Sequence, residues 1–133
     1  YEISACLVGS EMCIRDRAFT RALWQSATEC PVVFPGGVGV VPWMVPGGAA
    51  IARATSELMK EYDAAVWAHH GLFCSGPDFD TTFGLMHTIE KAAQIYLLVL
   101  SGGQGKLLQT IRDDDLRAIA HDFGVTLNEN FLN

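Results

Sequence analysis

Hydrophobic positions recur with a helical period in four segments of the chain. This period predicts a short helix over 18–25, a second helix over 46–62 and a long helix over about 80–100. A fourth helix should begin at the acidic residues 113–115, whose charges favour the positive end of the helix dipole, and end at Gly124.

Extended segments lie between these helices. Prolines bias the residues before them away from helical geometry, so 29–35 is predicted to be extended. A glycine-rich turn separates it from a second extended segment over 38–43. The apolar run 64–68 predicts a buried strand that ends at two histidines, and the Gly/Ser/Pro-rich segment 71–77 is predicted to be a loop. Strands that alternate with helices indicate an α/β fold.

The long helix carries two apolar stripes. Together they make the helix apolar nearly all round, which is typical of a helix that packs on a sheet and is covered again on its other side. Glu90 lies within one stripe, and a charge in that position would need a partner.

Composition indicates a single folded domain without a membrane span. The 133 residues are 50% hydrophobic, and no apolar run approaches the roughly 20 residues that cross a bilayer. A formal charge of −6 argues against nucleic acid or an anionic membrane as the main partner. The four cysteines lack a paired metal-ligand spacing and are expected to be reduced and mostly buried, as in a cytoplasmic protein.

The first seventeen residues differ in character from the rest. Segment 7–17 has no clear period and resembles the translated product of a sequencing-library adapter. We therefore expect 1–17 to be non-native and 18–133 to be the C-terminal part of a single domain. The alternative is an ordinary N-terminal segment with modest helix propensity.

His70 is the leading candidate for a metal ligand. A neutral imidazole suits zinc, and the end of a strand would hold its direction. A histidine before a glycine is also compatible with a hydrogen-bonded structural role. If the strand persists, His69 points to its other face and is a packing or supporting residue. His87 and His121, on helices, are expected to be solvated.

Glu29 is the candidate acid or base. It precedes a Cys-Pro step in an apolar neighbourhood, where a carboxylate could move a proton during catalysis. The alternative is an exposed or salt-bridged side chain. The glycines of 36–39 do not match a phosphate-binding loop, because no helix opens behind them, and Ser75 lacks the context of a hydrolase nucleophile.

From residue 18 to about 125, the chain resembles the class II aldolase/adducin family. The residues that carry the resemblance form short motifs spread along this length, with the tryptophan-containing one the most distinctive. They are Phe19-Thr20-Arg21, Leu23-Trp24, Thr28-Glu29-Cys30, Val32-Val33-Phe34-Pro35, Pro42-Trp43-Met44-Val45-Pro46-Gly47, His70-Gly71, Ser75-Gly76-Pro77, Thr82-Phe83-Gly84-Leu85 and Glu90-Lys91.

The resemblance implies a fold and a metal site. The fold would be a three-layer α/β sandwich, with helices covering a mainly antiparallel sheet, incomplete in this chain. Such enzymes hold one zinc ion per subunit with three histidines, two from a His-x-His motif and one from a later His-Gly. His70 matches the third ligand, whereas the His-x-His pair is absent from this sequence. Glu29 matches a carboxylate near the metal that assists proton transfer.

The resemblance also implies an activity for the parent protein. This is reversible retro-aldol cleavage of the phosphorylated ketose L-rhamnulose 1-phosphate to dihydroxyacetone phosphate and L-lactaldehyde, in a homotetramer with active sites near subunit contacts. The chain alone would be inactive. Another class II sugar-phosphate aldolase, a 4-epimerase and a non-catalytic adducin-like interaction module remain as alternatives.

Overall fold

The computed structural model describes residues 15–133. Within this part of the chain, five α-helices, three β-strands and a short 3₁₀ helix follow one another. They are α1 (15–24), α2 (Cys30–Val33), β1 (Gly39–Val41), α3 (Ala49–Leu58), β2 (Ala64–Trp67), β3 (Gly71–Cys74), α4 (Phe79–Gly102), α5 (Asp113–Phe123) and the 3₁₀ helix Glu129–Phe131.

The three strands form one small mixed sheet in the order β1-β2-β3. Strand β1 runs parallel to β2, with Val41 opposite Trp67. Strand β3 returns antiparallel to β2, with Gly71 opposite Trp67 and Cys74 opposite Ala64. The described sheet thus contains one parallel and one antiparallel pairing beside its helices, which is an α/β arrangement.

Helix α1 lies in the core. Trp24 is completely buried, and its indole N–H donates to the carbonyl of Phe34 over 3.3 Å. The Trp24 ring meets the Phe131 ring edge-on, with centroids 5.8 Å apart. One turn earlier along α1, the buried Thr20 hydroxyl accepts from the backbone N–H of Val38 over 2.9 Å, which ties the helix to the segment leading into β1.

The prediction that 29–35 is extended was wrong. Residues Cys30–Val33 form the short helix α2, with Pro31 in its first turn. Proline is tolerated there because the first-turn N–H groups have no partner within the helix. The N–H of Phe34 donates to the carbonyl of Cys30 and closes the turn.

The prediction of a loop over 71–77 was also wrong in its first half. Gly71–Cys74 is strand β3, because the hydrogen bonds offered by β2 outweigh the local turn propensity. The N–H of Ser75 donates to the carbonyl of Asp63 and extends this pairing by one bond. The loop begins only after that residue.

The long helix α4 buries one stripe and exposes the other. Leu85, Ile89 and Ala92 are buried against the rest of the chain. Phe79, by contrast, is 79% exposed, and Phe83 and Leu97 are also exposed. The second covering layer expected for this helix is therefore absent from residues 15–133. No helix in this described part is both long and apolar enough to cross a membrane.

Candidate active site

The two histidines lie at the tip of the hairpin that joins β2 to β3. Strand β2 ends at Trp67, and the backbone N–H of His70 donates to the Trp67 carbonyl over 3.0 Å across a tight turn. His69 occupies the left-handed region in this turn, with φ of 61°, a conformation that histidine adopts more often than most side chains. The strand does not continue through His69, so strand alternation does not set the direction of its side chain.

The His70 ring contacts the indole of Trp67. Their centroids lie 5.2 Å apart, with the ring planes inclined by 39°. The same indole stacks on Phe73, at 4.2 Å and 30°, because the two residues are diagonal neighbours on one face of the hairpin. The indole N–H donates to the Thr55 hydroxyl of α3 over 2.8 Å.

A cavity of about 260 Å³ is lined in part by Trp67 and His70. Its walls come from α1, the hairpin and α4, and they are mainly apolar. The ionisable residues that line this cavity are His69, His70 and Glu90, and all three are exposed. Glu90 was expected to need a partner because it lies within an apolar stripe of the helix. Since its side chain is exposed at the cavity, water can solvate the charge and no such partner is required.

The described residues contain no group of three or more histidine, cysteine, aspartate or glutamate side chains that could hold a metal ion. His70 fits one part of a zinc site, since it is an exposed imidazole at a constrained turn beside a cavity. Three or four ligands are needed to hold zinc tightly. Residues 15–133 therefore supply one candidate ligand and not a complete site.

Glu29 lies in a different place. It is exposed at the start of α2 and lines a second cavity of about 140 Å³, together with His87 and Lys91 of α4. The α4 residues at the His70 cavity, such as Glu90, fall on the opposite side of the helix, because each residue turns it by about 100°. Within residues 15–133, Glu29 and His70 thus line two different cavities.

The two cysteines within the described residues are free thiols with little reactivity. Burial, with a smaller contribution from the nearby Glu29 charge, raises the pKa of Cys30 to about 12. Burial likewise raises the pKa of the half-buried Cys74 to about 11, with a contribution from Asp63. Cys30 is buried as expected and Cys74 is half-buried; Cys6 and Cys13 lie outside the described residues, and the reduced state stays a prediction.

The other histidines and the two ends of α5 lie where the sequence pattern predicted. His87 and His121 are exposed on α4 and α5. The acidic residues 113–115 open α5, and Gly124 ends it in the left-handed conformation with φ of 67°. The contact of Trp67 with Thr55 was not predicted, because it joins a strand and a helix whose relative placement the sequence pattern does not show.

Comparison with known proteins places the chain in a family. Residues 7–97 match the family described as Class II Aldolase and Adducin N-terminal domain. The chain is 52% identical over 120 residues to a rhamnulose-1-phosphate aldolase of Listeria innocua, which covers 90% of this chain and 43% of the relative.

Two further relatives carry the same name. An Enterococcus faecalis rhamnulose-1-phosphate aldolase is 50% identical over 117 residues, which are 88% of this chain and 41% of the relative. A rhamnulose-1-phosphate aldolase from Escherichia coli O1:K1 / APEC is 51% identical over 108 residues, which are 81% of this chain and 39% of the relative. The chain thus spans about two fifths of the length of these curated relatives. With its α/β fold and its match over 7–97, the chain belongs to the class II aldolase and adducin family.

Proposed function

We propose that the complete protein cleaves L-rhamnulose 1-phosphate to dihydroxyacetone phosphate and L-lactaldehyde in a metal-dependent retro-aldol reaction. Identity of 50–52% to rhamnulose-1-phosphate aldolases supports this substrate. In the structure, the observation that carries the proposal is that the exposed His70 lines a cavity together with His69 and Glu90.

We propose that residues 18–133 are the C-terminal part of one class II aldolase domain, which is a mainly antiparallel three-layer sandwich when complete. The coverage of 43% of the Listeria innocua relative supports this. The adapter-like pattern supports a non-native origin for 1–17, although the family match begins at residue 7 and Asp16 accepts from the Val40 N–H over 2.6 Å. Recovery of the gene upstream of Ala18 tests this proposal, since it should encode a His-x-His motif in place of 1–17.

His70 would hold one zinc ion per subunit, together with two histidines from the upstream motif. When bound, the metal would act as a Lewis acid that polarises the substrate ketone and stabilises the negative charge that develops as the carbon–carbon bond breaks. The role of His70 is to present a neutral ring nitrogen beside the cavity.

Glu29 would carry the proton of the reaction. In the cleavage direction, a base takes the proton of the C4 hydroxyl as the C3–C4 bond breaks, and an acid returns a proton to C3. No further reactant is needed, because one proton leaves and one returns. Glu29 is exposed, so its carboxylate is accessible for this exchange.

The separation of Glu29 from His70 supports a homotetramer with sites near subunit contacts. If both residues serve one reaction centre, Glu29 must reach the cavity of a neighbouring subunit, since the two line opposite sides of α4. The exposed apolar side chains of α4 support self-association. The formal charge of −6 supports a protein without nucleic-acid or anionic membrane partners, and the free thiols support a cytoplasmic location.

The direct test is an assay of the full-length protein for dihydroxyacetone phosphate released from L-rhamnulose 1-phosphate. We expect stoichiometric release of the triose phosphate, abolished by a chelator and restored by zinc. Epimerised ketose phosphate without triose phosphate would indicate a 4-epimerase, and neither product would indicate an adducin-like interaction module. Either result overturns the proposed activity.

The ligand assignment is tested by His70→Ala in the full-length protein. We expect the loss of most bound zinc by elemental analysis, because two remaining histidines hold the ion weakly. His121→Ala is the matched control, since His121 is exposed on α5 away from the cavity, and should keep the wild-type zinc content. Unchanged zinc in His70→Ala would show that His70 is not a ligand.

The proton-transfer role is tested by Glu29→Gln. Turnover should fall by about 10²–10⁴-fold while zinc content stays at the wild-type level, because the amide keeps the size of the side chain but does not carry the proton. Glu57→Gln is the control, as Glu57 is an exposed glutamate of α3 that pairs with Lys60 just after the helix. Wild-type kinetics in Glu29→Gln would make Glu29 a structural residue.

A further inference from the structure

His70 needs an orienting contact that its own turn does not provide. Its backbone is held by the hydrogen bond to Trp67, but its ring makes no hydrogen bond to any described residue. The ring does contact the indole of Trp67, with centroids 5.2 Å apart. An exposed imidazole without such a contact would populate several rotamers, and metal binding would have to select one.

Trp67 is itself held in place on several sides. Its backbone is paired with Val41 of β1 and Gly71 of β3, in the middle of the sheet. Its ring stacks on Phe73 at 4.2 Å. Its N–H is bound by Thr55, so rotation of the indole would break a hydrogen bond that is partly buried.

The Thr55 hydroxyl is oriented as well. It donates to the carbonyl of Ile51 over 2.7 Å, one turn earlier in α3, and its remaining lone pairs face the indole N–H at 2.8 Å. The hydroxyl can satisfy both partners at once, since it has one donor and two acceptor positions. A continuous set of contacts therefore runs from the backbone of α3 through Thr55 and Trp67 to the His70 ring.

We infer that Trp67, held by Thr55, is a positioning residue that directs the His70 imidazole for metal binding. The inference rests on the proposed function, in which His70 is a ligand. Residues that orient a ligand typically change metal affinity by about 10–100-fold when they are replaced. Trp67 does this by ring contact, and Thr55 acts one step further from the metal.

The test compares metal affinity in the full-length protein, measured by competition with a chelator. Thr55→Val removes the hydroxyl at nearly constant volume, whereas Thr55→Ser keeps it. We expect Thr55→Val to bind zinc about tenfold more weakly, Thr55→Ser to bind within about twofold of the wild type, and Trp67→Leu to lose about 10–100-fold. The visible absorption of the cobalt-substituted protein should shift in Thr55→Val and not in Thr55→Ser, because that band reports ligand geometry.

The controls separate this inference from the ligand assignment. Ser56→Ala removes a neighbouring hydroxyl that also donates to the α3 backbone but makes no hydrogen bond to Trp67, and it should bind zinc as the wild type does. If His70→Ala loses zinc while Thr55→Val and Trp67→Leu keep wild-type affinity and an unshifted cobalt spectrum, the positioning role is wrong and the ligand assignment stands. If His70→Ala keeps wild-type affinity, both are wrong.

Discussion

Helix α1 and the C-terminal residues hold each other through buried, directional contacts, whereas the hairpin tip and the outer side of α4 leave large side chains in solvent. Arg21 of α1 donates to the carbonyl of Phe131 over 2.7 Å and pairs with Asp113 at 3.0 Å. On the outer side of α4, Phe79 and Leu98 are 79% and 71% exposed, respectively.

This contrast separates what stabilises the described chain from what it offers to other molecules. Arg21, Trp24 and Phe131 all have partners within residues 15–133, so the contact between α1 and the C-terminal segment is complete within the described chain. The exposed apolar groups of α4 and the exposed ionisable groups of the hairpin bury little surface within the described chain. They are typical of interfaces and sites that are completed by further protein.

The largest expected effect comes from Trp24→Ala compared with Phe79→Ala. Trp24 is 0% exposed, and its removal leaves a cavity and takes away one of the two donors to the Phe34 carbonyl, so the free energy of unfolding should fall by about 3–5 kcal/mol. Phe79→Ala should change it by less than about 0.5 kcal/mol. Urea unfolding of both variants measures the difference, and similar losses would show that Phe79 is packed in solution.

A smaller effect is expected for Asp113→Asn, and it should depend on pH. Burial tends to raise the pKa of the Asp113 carboxyl, but the hydrogen bond from Arg21, the backbone N–H of Asn133 and the charge of Arg21 outweigh it and hold the pKa below its usual value. A carboxyl with a lowered pKa in the folded state stabilises the protein above the unfolded-state pKa of about 3.9, and this stabilisation is lost as the pH falls through the folded-state value.

Asp113→Asn should therefore lower the free energy of unfolding by about 1–3 kcal/mol at neutral pH, with a difference from the wild type that shrinks on acidification below about pH 4. Urea titrations at pH 7 and near pH 3 measure both values. Arg117, which pairs with Asp114 and Glu129 at the surface, provides the comparison, and Glu129→Gln should cost less than about 1 kcal/mol. A constant difference across pH for Asp113→Asn would contradict the assigned ionisation.

The smallest effect on stability is expected on the outer side of α4. Leu98→Gln should leave the free energy of unfolding within about 0.5 kcal/mol of the wild type, because the side chain is already in solvent. It should weaken self-association, measured by sedimentation, if this side is an interface. Ile89→Gln in the buried stripe is the counterpart and should prevent stable folding. Unchanged association in Leu98→Gln would place the subunit contact elsewhere.

Periodicity predicted the long elements and failed on short ones. Helices α4 and α5 appear close to where their patterns indicate, because each presents enough apolar positions to define a period. Within segment 29–35, Cys30–Val33 became helical, and Gly71–Cys74 became a strand, because a four-residue element is decided by the neighbours that satisfy its backbone groups. Local proline and glycine preferences are weaker than those bonds.

The sequence alone determined the family, the long helices and the candidacy of His70 and Glu29, since motifs and apolar spacing are properties of neighbouring residues. Only the tertiary structure decided that the two candidates line opposite sides of α4 and that Thr55 reaches Trp67. Those relations join positions far apart along the chain. They depend on how helices and strands pack, which is settled by the burial of whole surfaces and not by any single local preference.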